Sequence, residues 1–252
     1  MVFHFTVFFW AVIFYLGLQG IISLETSTTW GWYFSSISLL LMIVSLATKA
    51  ITSRLRDIFL PALFAFTTPT LLSFIDNSHE QQIFIFLVSS VLYVAFMGGY
   101  RLRQAPQDKT AFAFLQTAAL SGLFLFYASM YGFYLNFNFP LWALMTLFFF
   151  GTTFVGFAIL VPGLPKTDYP KVKLYSALLG LTLTELAWVI SFWPFGYLTT
   201  GSITLIFFYL SWDIAWQALR EGLSLKRTLF RIGFFFFLVG LLLWSTPWRI
   251  LV

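Results

Sequence analysis

The chain has 252 residues, of which 60% are apolar and only 9% are charged, and its mean hydropathy is +0.89. Soluble domains carry about 25% charged residues, so this composition excludes an ordinary soluble fold. The net charge of +5 does not indicate nucleic acid, because the basic residues lie at the ends of apolar runs and not on a polar face that could read bases. The absence of cysteine excludes disulfides and thiolate metal sites.

Nine apolar runs succeed one another along the chain, each long enough to cross about 30 Å of hydrocarbon as a helix. We therefore predict an all-α fold, a polytopic transmembrane helix bundle that forms a single integral membrane domain over residues 1–252. In chain order, the predicted spans are Val2–Leu24, Trp30–Thr48, Ile58–Ile75, Gln81–Tyr100, Thr110–Leu135, Phe139–Val161, Leu174–Trp193, Phe195–Trp212 and Ile232–Trp248.

The basic residues form four clusters, and each cluster comes after an even-numbered span. The positive-inside rule then places these loops and the N-terminus in the cytoplasm, and the C-terminus outside. We expect the clusters to meet anionic headgroups of the lipid bilayer, in a plasma or inner membrane. The clusters are Lys49, Arg54 and Arg56; Arg101, Arg103 and Lys109; Lys166, Lys171 and Lys173; and Arg220, Lys226, Arg227 and Arg231.

The loops on the other side are acidic or neutral, which agrees with this orientation. Glu25, Asp76 and Glu80 have the chemistry to coordinate a metal or to activate a lipid-linked donor, but simple solvation is the favoured interpretation. His79 beside Glu80 lacks a third metal ligand. We predict no metal site and no cofactor.

Two local signals bear on the third and fourth spans. Ser78 and Gln81 have the spacing of a capping box at the start of the fourth helix, which predicts Ser78 as its N-cap. Pro69 lies inside the third span and predicts a kink there, because proline removes one helical hydrogen bond.

Glu185 is the only charged residue within any predicted span. A carboxylate at that depth costs on the order of 3 kcal/mol, so we expect it to face the interior of the bundle, with Thr182 one turn away on the same face. It would carry a proton, a cation or a substrate amine. The alternative is a protonated carboxyl that holds two helices together.

A second polar set lies on the third and fifth spans. Thr67, Thr68, Thr70 and Gln116 would line a binding site around the broken third helix. The alternative is hydrogen bonding and close packing between helices, with Ala118 and Gly122 as the small residues.

Asp213 follows the eighth span on the cytoplasmic side, and we predict an interfacial ion pair between Asp213 and Arg220, with Gln217 as a further partner. The chain between Asp213 and Arg231 is predicted to extend the helix until Gly222 breaks it, and Ser224 would cap the next helix.

Three functional hypotheses are consistent with these features. The first is translocation of a small solute or ion, or a role as the membrane subunit of a transport system, with Glu185 in the pathway. The second is a non-catalytic membrane scaffold or assembly protein. The third, an enzyme that modifies a lipid or an isoprenoid, is weakest because the visible acids lie at different depths and chemistry needs convergent groups. No G-x-S-x-G, H-E-x-x-H or P-loop motif is present in the sequence.

Overall fold

The computed structural model describes residues 2–24, 30–52, 55–105, 107–137, 139–162, 164, 166–220 and 225–246. Over these residues the fold is all helical. The helices are α1 (Val2–Leu24), α2 (Trp30–Thr52), α3 (Phe59–Leu72), α4 (Ser78–Gln104), α5 (Lys109–Asn136), α6 (Leu141–Leu160), α7 (Tyr169–Ile190), α8 (Tyr197–Arg220) and α9 (Leu225–Ser245). Two 3₁₀ turns precede α3 and α7, at Leu55–Ile58 and Lys166–Asp168.

Eight of the nine helices in the described part of the chain are long and apolar enough to cross a membrane. The protein is therefore a polytopic helical membrane protein, and each predicted span coincides with one helix. The third differs in length: the prediction ran over Ile58–Ile75, but α3 has only 14 residues. After Ser73 the backbone leaves the α-helical pattern, because the N–H of Phe74 donates to the Leu71 carbonyl at 3.0 Å and the N–H of Ile75 to the Leu72 carbonyl at 3.2 Å, each three residues back.

The start of α4 lies next to the predicted cap, which was wrong by one residue. Asn77 is the N-cap, and its side chain accepts a hydrogen bond from the N–H of His79 at 3.0 Å. Ser78 is the first helical residue, and Gln81 donates from Nε2 to the Ile75 carbonyl at 2.7 Å instead of closing a capping box. An asparagine carbonyl caps as well as a serine hydroxyl, so either residue fitted the pattern.

Close contacts divide the chain into two compact units, Met1–Leu125 and Phe126–Val252. In the first unit, α1 packs on α2 and α4, and α3 packs on α2 and α4. Gly122 on α5 lies against Leu60, Leu63 and Phe64, where an added Cβ would meet side-chain atoms at 3.2–3.3 Å. The predicted small-residue packing at Gly122 is thus confirmed, and its partner is α3.

In the second unit the most extensive pairing joins α6 to α7, while α8 packs on α7 and α9 on α8. Gly180 brings α7 onto the backbone of α6, since an added Cβ would lie 2.8 Å from the Phe149 carbonyl oxygen. Gly201 does the same between α8 and α5, with an added Cβ 2.9 Å from the Ala128 nitrogen. Small residues therefore set the helix spacing of this unit, as is common in membranes.

Some predicted features fall outside the part of the chain that the structure describes. Glu25, Arg54, Gly222 and Ser224 lie outside the described residues, as do the side chains of Arg56, Lys166 and Arg227. The single membrane domain over residues 1–252 stays a prediction.

Candidate functional sites

The α3 threonines are the most enclosed polar groups in the first unit. Thr67, Thr68 and Thr70 are each 0% exposed, whereas Gln116 on α5 is half-buried. Thr67 donates to the Leu63 carbonyl at 2.8 Å and Thr70 to the Phe66 carbonyl at 3.0 Å. These two hydroxyls therefore satisfy themselves on the backbone of their own helix, in the manner usual for threonine in a membrane helix.

Thr68 behaves differently from its neighbours. Its Oγ1 is fully buried and has no hydrogen-bond partner, and the same holds for the Oγ of Ser89 on α4. The helices that carry them, α3 and α4, pack on each other. A buried hydroxyl without a partner costs about 1–3 kcal/mol, so two in adjacent helices need an explanation.

Glu185 is exposed, and the expectation that it faces the interior is wrong. The buried face of α7 is formed by small and apolar residues, among them Ser176, Gly180, Thr184 and Ala187. Glu185 is about 100° around the helix from Thr184 and lies beyond the contact with α6. Close packing against α6 selects the small residues and turns the large carboxylate outward.

The surroundings of Glu185 are exposed as well. Thr182, one turn earlier, is on the same face, and its hydroxyl donates to the Leu178 carbonyl at 2.9 Å. Leu181 and Trp188 flank the carboxylate and are 49% and 46% exposed. Glu185 lies five residues before the end of α7, about 7.5 Å at 1.5 Å per residue, and about 24 Å from its start. The structure therefore puts a carboxyl on the outer surface of a membrane-spanning helix.

Thr184, the residue before Glu185, is the polar side chain that faces the interior at this level of α7. Its hydroxyl donates to the Gly180 carbonyl at 2.7 Å and lies 3.5 Å from the Met145 carbonyl of α6. Sequence reasoning missed it because a single threonine gives no signal that distinguishes it from the other threonines of the spans.

Two tyrosines that the sequence did not single out hold the second unit together. The Tyr127 hydroxyl lies 2.9 Å from Thr152 Oγ1 on α6, and the Tyr131 hydroxyl donates to the Ala187 carbonyl on α7 at 3.2 Å. Both rings are buried and contact the Phe148 ring, with centroids 5.0 and 5.3 Å away. Their spacing of four residues on α5, which places both on one helix face, was the available signal.

Asp213 does form an ion pair, but the predicted partner was wrong. Its Oδ2 accepts from Arg231 on α9 and from Gln217 Nε2 at 2.8 Å. The Arg220 guanidinium instead lies 3.9 Å from the centroid of the Trp216 ring. Arg220 lies seven residues after Asp213 on α8, about two turns or 10.5 Å along the helix axis, whereas α9 folds back and brings Arg231 within reach.

The corner between α4 and α5 carries a further acid, Asp108, outside the spans. The hydroxyl of Thr110, followed by the backbone N–H groups of Ala111 and Thr110 and by the Arg101 guanidinium, holds the pKa of Asp108 below its ordinary 3.8. Arg101 lies 2.8 Å from the carboxylate. This arrangement caps α5 and fixes the turn.

The remaining acids do not converge in the described part of the chain. Asp76, Glu80 and His79 are exposed, and no cluster of three His, Asp or Glu residues suited to a metal occurs among the described residues. The geometry defines a multi-pass helical membrane protein with an exposed carboxyl on α7 and a buried set of threonines on α3.

The chain belongs to a protein family whose function is not known. The family model, described as protein of unknown function (DUF5656), matches residues 4–245, which is almost the whole chain. No curated protein and no solved structure matches the chain significantly.

Proposed function

We propose that this protein is a membrane subunit that works by lateral assembly, with the exposed face of α7 as its contact surface. The observation that supports this is Glu185, which is exposed on a helix long and apolar enough to cross a membrane. This proposal combines two hypotheses drawn from the sequence, a non-catalytic membrane scaffold and a membrane subunit of a larger system.

The energetics favour a partner at this site. A carboxyl exposed to lipid costs on the order of 3 kcal/mol on insertion scales, and hydrogen-bond donors from a neighbouring helix offset that cost. Helical side chains lean toward the helix N-terminus, so Glu185 leans away from the nearer end of α7 and toward the membrane centre. It is therefore poorly placed to reach headgroup water.

The test is the size of the assembly in gently solubilised native membranes. We expect the wild-type chain to elute as a complex larger than one copy and Glu185→Leu to elute as a single copy. Phe150→Leu is the matched control, because Phe150 is also exposed but lies on α6. An unchanged complex in Glu185→Leu, with thermal unfolding like that of the wild type, would overturn the proposal.

A second candidate, translocation of a small hydroxylated solute, is supported by a different observation, the unpaired hydroxyls of Thr68 and Ser89. α3 is short and buried over most of its length, and although it runs through Pro69 without the predicted break, short interrupted helices of this kind line the binding sites of many transporters. A solute bound between α3 and α4 would supply the hydrogen-bond partner that these hydroxyls lack.

Thr68→Val distinguishes a hydroxyl that binds solute from one that is merely unpaired, because solute uptake and protein stability respond differently in the two cases. Glycerol is the probe, and its uptake is followed by light scattering from reconstituted vesicles. If the hydroxyl binds solute, Val lowers uptake about tenfold. If it is only an unpaired group, Val leaves uptake unchanged and raises stability by about 1–3 kcal/mol. Thr70→Val, which removes a satisfied hydroxyl, is the control.

A further inference from the structure

The guanidinium of Arg220 is a fixed cation at the basic end of α8. Arg220 is the last residue of this helix and is exposed. Its Cζ lies 3.9 Å from the centroid of the Trp216 ring, one turn earlier, and its Nη2 donates to the Pro162 carbonyl at 3.4 Å. The ring and the carbonyl together restrict a side chain that ordinarily has many rotamers.

The ring that holds Arg220 is itself held by other aromatic side chains. Trp216 packs on Trp212 with ring centroids 5.9 Å apart, and Trp212 is 7% exposed. Tyr209 packs on Trp212 at 5.6 Å and on Phe235 of α9 at 5.4 Å. A continuous series of aromatic contacts therefore runs from the packed interface of α8 and α9 to the guanidinium, and it sets the position of Arg220.

No acid among the described residues pairs with Arg220. The described acids of the second unit at this end of the helices are Asp168 and Asp213, and each pairs with another cation. Asp168 Oδ1 lies 3.7 Å from Lys171 Nζ, and Asp213 accepts from Arg231. Stacking occupies one flat face of the Arg220 guanidinium, so N–H donors along its edge are left to bind an anion. An oriented guanidinium edge matches the oxygens of a phosphate group in two parallel hydrogen bonds.

We propose that Arg220, stacked on Trp216, binds the phosphate group of an anionic phospholipid. The guanidinium edge donates to two phosphate oxygens, and the single negative charge of a phosphodiester neutralises the single positive charge of the arginine. This inference goes beyond the lateral assembly proposed for Glu185 and does not depend on it, because the two sites lie on different helices.

The position of the site along α8 favours a lipid over a phosphate from solution. α8 is long and apolar enough to cross a membrane, and Arg220 ends it, so the guanidinium lies at the level of the headgroups. Trp216 lies about 6 Å deeper at 1.5 Å per residue, within the interface where indole rings are enriched. Anionic lipids are confined to this surface and are attracted by its basic residues, so they meet the guanidinium at a high local concentration.

A built phosphate site differs from the diffuse attraction of every basic residue near a membrane. Lys173, near the start of α7, is exposed, and no described acid pairs with it. Its ammonium is a point charge on a flexible stem, whereas the Arg220 guanidinium is a planar fork held by a ring. Diffuse attraction depends on charge alone, so variants that remove the fork or the ring but keep the charge distinguish the two.

Titration of the detergent-solubilised full chain with phosphatidylglycerol tests the site, with native mass spectrometry measuring the affinity of the first bound lipid. We expect Arg220→Gln to weaken this affinity about tenfold, through the loss of one charge-assisted bidentate pair. Arg220→Lys should weaken it nearly as much, because an ammonium cannot form the two parallel bonds. Lys173→Gln is the matched control, since it removes the same charge from an exposed residue, and it should change the affinity little. Equal losses in Arg220→Gln and Lys173→Gln indicate diffuse attraction and contradict the proposal.

Trp216→Leu tests the stacked ring, and inorganic phosphate tests the source of the ligand. Trp216→Leu keeps every charge, and we expect it to weaken the affinity for phosphatidylglycerol several-fold in the folded chain that the spectrum resolves. An unchanged affinity would mean that the ring does not form part of a site. Inorganic phosphate at millimolar concentration should not displace the bound lipid. Displacement that Arg220→Gln abolishes would assign the site to free phosphate and reject the lipid.

Discussion

At the scale of single residues, the neighbours of a polar side chain decide whether it is buried or exposed. Thr67, Thr70 and Thr184 donate to carbonyls of their own helix one turn back, and each is buried. Glu185 is too large to enter the close contact between α6 and α7 and lies outside. The charge of Glu185 predicted that placing it in a membrane is costly. The close packing of the small residues around it decided that it faces outward.

Asp108 supplies the pH-dependent prediction at this scale. Its folded pKa is lowered, so it adds stability that is fully present above the ordinary value of 3.8 and is lost as pH falls through the folded value. We expect Asp108→Asn to unfold at a lower temperature than the wild type at pH 6, and the difference to shrink from about pH 4 downward. Thermal scans between pH 6 and pH 2.5 check this. A difference that is the same at all pH values would contradict it.

At the scale of elements, the spacing of helices depends on a few glycines. Gly180 and Gly201 allow α7 and α8 to approach the backbones of α6 and α5, while Gly233 and Gly240 on α9 have open space where a Cβ would stand. α9 packs on α8 and is fastened near its start by the ion pair between Arg231 and Asp213. Close backbone contacts at glycines therefore position α7 and α8, whereas an ion pair helps to hold α9 on α8.

Gly180→Ala tests this account of the α6–α7 contact. The added methyl group meets the fixed Phe149 carbonyl at 2.8 Å, so the helices must separate, at a cost of about 1–3 kcal/mol. Gly240→Ala, with nothing within 4 Å, should be neutral or stabilising by up to about 1 kcal/mol. Unfolding midpoints in detergent measure both. Equal tolerance of the two changes would mean that the close approach does not determine stability.

At the scale of the whole molecule, the short α3 raises the question of how the chain crosses the membrane. The basic clusters after α2 and α4 lie on one side only if α3 carries the chain across. Its 14 residues extend about 21 Å, which is shorter than the hydrocarbon thickness of about 30 Å, and a bilayer accommodates a short span by thinning locally. We expect α3 to cross as the ninth span.

Labelling of single cysteines from outside the cell tests this topology. Ser23→Cys and Ser78→Cys should react with an impermeant reagent, and Thr167→Cys should not. If α3 does not cross, Ser23 stays reactive while Ser78 and Thr167 exchange behaviour. If the orientation is inverted, Ser23 and Ser78 are both protected. The three sites therefore distinguish the three arrangements.

Much of the fold could be predicted from the sequence, but the candidate sites could not. The apolar runs place every helix, since backbone groups in lipid can be satisfied only within regular structure. Two kinds of prediction were wrong. One was the choice between neighbouring residues of similar chemistry, since Asn77 caps α4 in place of Ser78. The other was a contact between helices, since α9 folds back and brings Arg231 to Asp213. Tyr127 and Tyr131 were missed because their partners lie on other helices, and Thr184 because its sequence position does not distinguish it from the other threonines of the spans.

The sequence by itself determined that this is a multi-pass membrane protein, where its helices run and which residue is costly to place in lipid. These properties depend on local composition and on the solvent that the chain meets. Only the tertiary structure decided that Glu185 faces outward and that Thr68 is enclosed without a partner. Each depends on which helices pack together and how closely their small residues let them approach, and no single span carries that information.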